Sequence, residues 1–275
     1  MHIAIQGAFG SFHNEAALKI DPAAQIVPRQ TFADVFNAVL AGEAEHGLCA
    51  IENSLHGPIN EVYRLLERHE VWVTRDVRLH IAQQLIGFGP VSLEELAASP
   101  DVRVLSQAPA LAQVELWLDA NLPLAARVET HDTAASVQDV VELRSAHTLA
   151  VASRLAAETY GGVIVAEDIQ DDPHNYTRFI LFQKQRATTV NATHGSMILK
   201  TDHAPGALLR ALQVFAQEGC NLTKLDSHPI PGDVRHYAFY IDYELTRPES
   251  TVVITEALEK QGCAVKLLGE YSSDI

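Results

Sequence analysis

His2-Ile3-Ala4-Ile5-Gln6-Gly7-Ala8-Phe9-Gly10-Ser11-Phe12 sets the pattern for two thirds of the chain. A short apolar run, His2–Gly7, reads as a strand. It ends in glycine and small polar residues, and a helical pattern follows. The same sequence of events recurs. Strands are expected at Gly47–Glu52, Val71–Ile86 (long enough for two), Val102–Leu105, Ala126–Glu129, Thr148–Ala152, Val163–Glu167 and Phe179–Phe182. Helical stretches lie between them. Thr31–Asp34 and Ser92–Glu95 open like capping boxes, Leu111–Leu118 has apolar residues at helical spacing, and Arg154–Tyr160 stops at Gly161-Gly162. Strand–helix alternation of this kind predicts an α/β fold with a mostly parallel sheet.

The pattern changes after Gln183–Gly195, a polar stretch without periodicity that is read as a linker (184–195). Ser196–Thr201, Asn221–Ser227, His236–Tyr243 and Ala264–Leu268 read as strands, with a turn at Pro229–Asp233. Pro205–Glu218 and Glu249–Lys260 read as helices. This is βαββαβ, the ferredoxin-like order.

The 275 residues suggest about two domains at roughly 150 residues each. Hydrophobic residues make up 47% and charged residues 20%, enough for packed cores. Lys and Arg total 20 against 35 Asp and Glu, a net charge of -15. That balance argues against a nucleic-acid binder and against an anionic membrane surface. The three cysteines, Cys49, Cys220 and Cys263, are widely spaced, so neither a disulfide scaffold nor a zinc knuckle is expected. No signal peptide and no run of about 18 apolar residues is read, which points to the cytoplasm.

The chemistry is expected where strands run into helix starts. Gly7–Ser11, Glu52-Asn53-Ser54, Ser106-Gln107, Asp132-Thr133 and Ser153 all follow a strand. Ligands of open α/β sheets sit beyond the carboxyl ends of the strands, and helix N-termini favour carboxylates. Each residue alone is a good N-cap; as a set they point to a cleft for a small anion. There is no GxGxxG, no Walker lysine and no HExxH, so no nucleotide, metal or other cofactor is expected. Trp72 and Trp117 read as packing residues, and 171–175 as a loop that positions Asn175.

Several of these stretches resemble the prephenate dehydratase family. Asn175-Tyr176-Thr177-Arg178-Phe179 is similar to its N-x-T-R-F signature, and Gly7–Phe12 to its glycine loop. Ala50–Gly57 resembles P-I-E-N-S-x-x-G, with Ala50 for proline. Ser106-Gln107 followed by Gln113, Asp132-Thr133-Ala134, and Ala166–Gln170 match in order. The C-terminal part resembles an ACT regulatory domain through Pro205–Leu208 and Asn221–Lys224. Two departures stand out: Asp226-Ser227-His228-Pro229 replaces E-S-R-P, and His13 stands where relatives carry a small hydroxyl residue.

The resemblance implies a two-lobed catalytic domain like a type II periplasmic binding protein over 1–183, with lobes of about 1–77 plus 164–183 and 78–163. An ACT domain would follow over 196–275. It implies conversion of prephenate to phenylpyruvate, water and carbon dioxide in phenylalanine biosynthesis, without a cofactor. Thr177 would hydrogen-bond the departing hydroxyl and Glu52 would serve as acid or structural partner. Asn53, Ser106, Gln113 and Asn175 would orient the substrate. Arg178 would hold a carboxylate, Gly10 and Ser11 would offer backbone N–H groups, Thr133 would do so from the other lobe, and Phe179 would line the groove. Gly206, Ala207, Leu208, Asn221 and Leu222 would hold an effector, L-phenylalanine, in a homodimer or homotetramer. Arogenate as substrate fits the same residues; a non-catalytic small-anion or amino-acid sensor would use the same two-lobed fold but has no need of Thr177 or of the Glu52-Asn53 pair.

Overall fold

A computed structural model describes residues 1–230 and 233–273. Pro231 and Gly232 of the expected turn lie outside the described residues. In chain order the elements are β1 (His2–Gln6), α1 (Phe12–Ile20), β2 (Gln25–Arg29), α2 (Phe32–Ala41), β3 (His46–Asn53), β4 (Gly57–Pro58), α3 (Asn60–Arg68), β5 (Trp72–His80), β6 (Gln84–Gly87), α4 (Leu93–Ala97), β7 (Arg103–Ser106), α5 (Ala108–Ala112), α6 (Glu115–Asn121), β8 (Ala126–Glu129), α7 (Thr133–Leu143), β9 (Thr148–Ala152), α8 (Arg154–Tyr160), β10 (Val163–Ala166), β11 (Tyr176–Gln183), β12 (His194–Lys200), α9 (Ala207–Gln217), β13 (Leu222–Ile230), β14 (Asp233–Glu244), α10 (Ser250–Lys260) and β15 (Ala264–Ser272).

The chain divides into two compact units, Met1–Val62 with Arg78–Phe179, and Tyr63–Val77 with Ile180–Ile275. Tyr63–Val77, expected in the first lobe, therefore packs with the C-terminal part, where β15 pairs in parallel with β5.

The first unit carries two sheets. In one, β1 lies between β2 and β3 and is parallel to both. β2 escaped the sequence reading because Pro28 interrupts a short edge run. The other has the order β10-β6-β9-β7-β8. Its β7, β8 and β9 are parallel, but β6 runs antiparallel to β9 and β10 antiparallel to β6. The sheet is thus mixed rather than mostly parallel, and β10 belongs to it rather than to the first lobe. Its core is Leu85, Val104, Leu149 and Val151 on one face, and Ile86, Ala134, Val137 and Ala150 on the other.

Thr31 and Asp34 form the reciprocal capping box, but the Ser92 side chain makes no cap bond. The expected helix Leu111–Leu118 is broken into α5 and α6. The Asp171 carboxylate accepts from Leu116 N and Trp117 N, both at 2.9 Å, and starts α6 from a loop distant in sequence.

In the second unit, β12, α9, β13, β14, α10 and β15 follow the βαββαβ order, with β13-β14-β12-β15 in the sheet. Met197, Leu199, Phe215, Ile241, Tyr243, Ile254 and Leu258 form its core. Pro205 precedes α9 instead of lying in its first turn, because Gly206 takes the N-cap at φ 79°.

Candidate active site

Several helix starts, those of α1, α2 and α7 among them, meet at one cavity of about 830 Å³ in the first unit. Ser11 caps α1 by accepting from Asn14 N, Thr31 caps α2, and Asp132 caps α7 by accepting from Ala135 N at 2.8 Å. Ser11, Phe12, Thr31, Phe32, Asp132 and Thr133 all line the cavity. The first backbone N–H groups of each helix lack intrahelical acceptors and carry the positive end of the dipole. No lysine or arginine is among the lining residues.

The glycine loop packs closely against Asp132 and Ala156. Gly7 and Gly10 have φ of 94° and 80°. A Cβ on Gly10 would fall 2.7 Å from Ala156 Cα, and one on Gly7 2.7 Å from Asp132 Oδ2. Asp132 Oδ2 accepts from Ala8 N, and Ser153 Oγ donates to Gly10 O at 2.6 Å.

Thr177 lines the same cavity, 8% exposed. Its Oγ1 accepts from Asn53 Nδ2 at 3.0 Å. The same Nδ2 donates to Asn175 Oδ1 at 2.8 Å and Tyr176 O at 3.2 Å, while Asn53 Oδ1 accepts from Leu55 N and His56 N. Asn53 is therefore saturated. It fixes Thr177 with the hydroxyl oxygen occupied and the hydroxyl proton free to donate. Asn175 is fully buried, its Nδ2 has no partner, and its O accepts from Ile81 N.

His13 and Gln83 complete the wall. His13 Nε2 accepts from Ala50 N at 3.2 Å. Its ring meets Phe179 edge-on at 5.0 Å and Phe32 at 5.7 Å. Burial lowers its pKa from 6.5 to about 3. Gln83 Nε2 donates to Gln113 Oε1 at 2.9 Å. The sequence marked His13 only as an oddity and gave no signal for Gln83, which precedes an ordinary strand.

Of the expected residues, the structure brings Ser11, Asn53, Gln113, Thr133, Thr177 and Phe179 to the cavity. Others are placed differently. The N–H groups of Gly10 and Ser11 are spent inside the loop, on Asn14 Oδ1 (2.9 Å) and Ala8 O (3.2 Å), so they are not available to a carboxylate. Ser106 is wholly buried and donates to Val151 O at 2.7 Å, bracing the sheet. Arg178 sits between Thr177 and Phe179, and strand alternation turns it off the cavity wall. Glu52 is half-buried opposite Pro58 in the β3–β4 hairpin and does not line the cavity. Asn175 holds Asn53 rather than the cavity. Among the described residues, no group of three or more His, Cys, Asp or Glu could hold a metal ion. No helix among them is long and apolar enough to cross a membrane.

In the second unit, Ala207 and Leu208 line a cavity of about 340 Å³ with Tyr237 and Phe239. Gly206 caps α9 beside it. Asn221 is exposed at the start of β13, and Leu222 packs against the core, so neither lines it. His228 Nε2 lies 3.2 Å from Asp226 Oδ2 and stacks on Tyr63 at 5.3 Å.

Fold and cavity together define an α/β protein with a cavity lined by helix starts and by the Thr177 hydroxyl that Asn53 holds. The family model for prephenate dehydratase matches residues 3–187, and the chain belongs to that family. It is 34% identical over 286 residues to arogenate dehydratase/prephenate dehydratase 2 of Arabidopsis thaliana, covering all of this chain and 73% of the relative. Among solved structures, the Arthrobacter aurescens prephenate dehydratase in complex with L-Phe is 28% identical, with a TM-score of 0.86 and coverage of 99% of this chain and 90% of that one. A protein described as a quorum quenching acylase, GqqA, is also 28% identical with a TM-score of 0.86, covering 100% and 98%. The fold is thus shared by proteins given different activities.

Proposed function

We propose that the protein catalyses the decarboxylating dehydration of prephenate to phenylpyruvate. The observation that carries this is Thr177, whose oxygen accepts from Asn53 and whose proton is left for a ligand in the cavity. In the reaction the ring carboxylate leaves as carbon dioxide, its bonding pair enters the ring, and the C–O bond breaks. The departing hydroxide takes up a proton and leaves as water. A hydrogen bond from Thr177 to that oxygen strengthens as charge develops, which is the condition for catalysis. The helix-start amides at Phe12, Phe32 and Thr133 supply the grip on the carboxylates. Backbone donors serve here because a tight side-chain ion pair on the ring carboxylate would oppose its loss.

Arogenate is the second reading. Its ammonium would meet Glu61, whose side chain is on the cavity wall. Incubation with each substrate, following phenylpyruvate and phenylalanine, separates the two. No product from either removes the enzyme reading.

We further propose that 196–275 is an ACT-type regulatory module of a homodimer, with an amino acid as effector. The ferredoxin-like order supports this, as does the L-Phe complex of the Arthrobacter relative. Light scattering with and without L-phenylalanine tests it; a monomer that ignores phenylalanine removes it.

A further inference from the structure

We propose that His13 contacts the substrate, with its two ring nitrogens in separate roles: Nε2 anchors the ring to Ala50, and Nδ1–H donates to an oxygen of the bound dianion. This rests on the dehydratase reading above and adds a specificity residue to it.

The tautomer follows from the partner. Ala50 N–H can only donate, so Nε2 at 3.2 Å is the bare nitrogen and the proton sits on Nδ1. Nδ1 has no partner among the described residues. The ring is held on two sides by Phe179 and Phe32, both on the cavity wall, so it cannot turn freely. His13 is the second residue of α1, and side chains in a helix lean toward its N-terminus. The ring therefore leans toward the end where the α1 amides open on the cavity. Burial keeps it uncharged above about pH 3, so it supplies a neutral donor and no pH limb. Of the other lining amides, Asn53 is saturated and Gln83 Nε2 is bonded to Gln113 Oε1, which leaves Gln113 Nε2 as a second side-chain donor beside His13.

An asparagine amide overlays Nδ1 of histidine and a glutamine amide overlays Nε2. His13→Asn can keep the donor to substrate and lose the anchor to Ala50; His13→Gln can keep the anchor and lose the donor. The expected result is that the Asn variant has kcat/KM about tenfold above the Gln variant, as for one hydrogen bond, while the Gln variant melts higher. A purely structural His13 gives the opposite: activity follows melting temperature and Gln outperforms Asn. That outcome overturns the proposal.

Histidine-selective nitrogen NMR, with the His13→Gln spectrum as assignment, reads the tautomer without turnover. A proton on Nδ1 that shifts on adding prephenate is expected. A proton on Nε2, or an Nδ1 signal unmoved by saturating prephenate, overturns the proposal. If the wild type binds prephenate but forms no product, the dehydratase reading fails and this spectrum alone decides His13.

Discussion

Asn53 Nδ2 lies 3.0 Å from Thr177 Oγ1, and this contact settles which partner donates. An amide nitrogen has no lone pair to offer, so the threonine must accept and its proton must go elsewhere.

Thr177→Val keeps the shape and removes the proton. On the proposed mechanism, kcat is expected to fall about 10²–10³-fold, the scale of one lost transition-state donor, with KM little changed. Thr177→Ser restores most of the activity. Stopped assays of phenylpyruvate formation check both.

Asn53→Asp replaces the donor by an acceptor. The Thr177 proton then turns to the new carboxylate and away from the cavity. A fall in kcat like that of Thr177→Val is expected, together with a loss of about 1–3 kcal/mol of stability from the severed bonds to Asn175 and Tyr176. Full activity in this variant would show that Asn53 does not orient Thr177.

Gly10→Ala places a methyl group 2.7 Å from the Ala156 backbone at a φ of 80°. Strain and clash together are expected to cost about 1–3 kcal/mol. At this size that is a drop of several degrees in Tm, about 2–4 °C per kcal/mol, readable by calorimetry.

His13 links stability to pH. Its pKa is lowered to about 3 by burial, against 6.5 when unfolded. Between these values the unfolded chain binds the proton and the folded one does not. Stability therefore falls as pH drops from 6.5 toward 3, by at most about 1.4 kcal/mol per pH unit from this group. His13→Gln should flatten that part of the denaturant-midpoint profile. An unchanged slope would show that the ring ionises freely in the folded state.

Ser106→Ala loses its bond to Val151 O, at a cost of about 1 kcal/mol. KM should stay at the wild-type value, since the hydroxyl does not reach the cavity.

The fold was legible where local chemistry decides it. Asp132 and Ser153 cap their helices, and Gly161 ends α8 in the left-handed conformation. It was illegible where a distant group decides. The break between α5 and α6 is made by Asp171, 54 and 55 residues from the amides it caps. The candidate site shows the same division. Its helix starts were readable as polar residues after strands. The loss of the Gly10 amide to Asn14 depends on side-chain geometry that spacing does not encode, whereas the turning of Arg178 off the wall follows from the period of two along β11, which leaves open only which of the two faces meets the cavity.

A cavity without lysine or arginine on its wall has a consequence for how this site can change. On the proposed reading, its hold on an anion is main-chain, set by where α1, α2 and α7 begin. No side-chain replacement deletes a backbone N–H except proline. Drift can therefore rewrite the wall, as histidine at position 13 illustrates, while the grip is inherited with the fold. Alanine scanning would be blind to the strongest part of the site, and altered selectivity should arise one wall residue at a time.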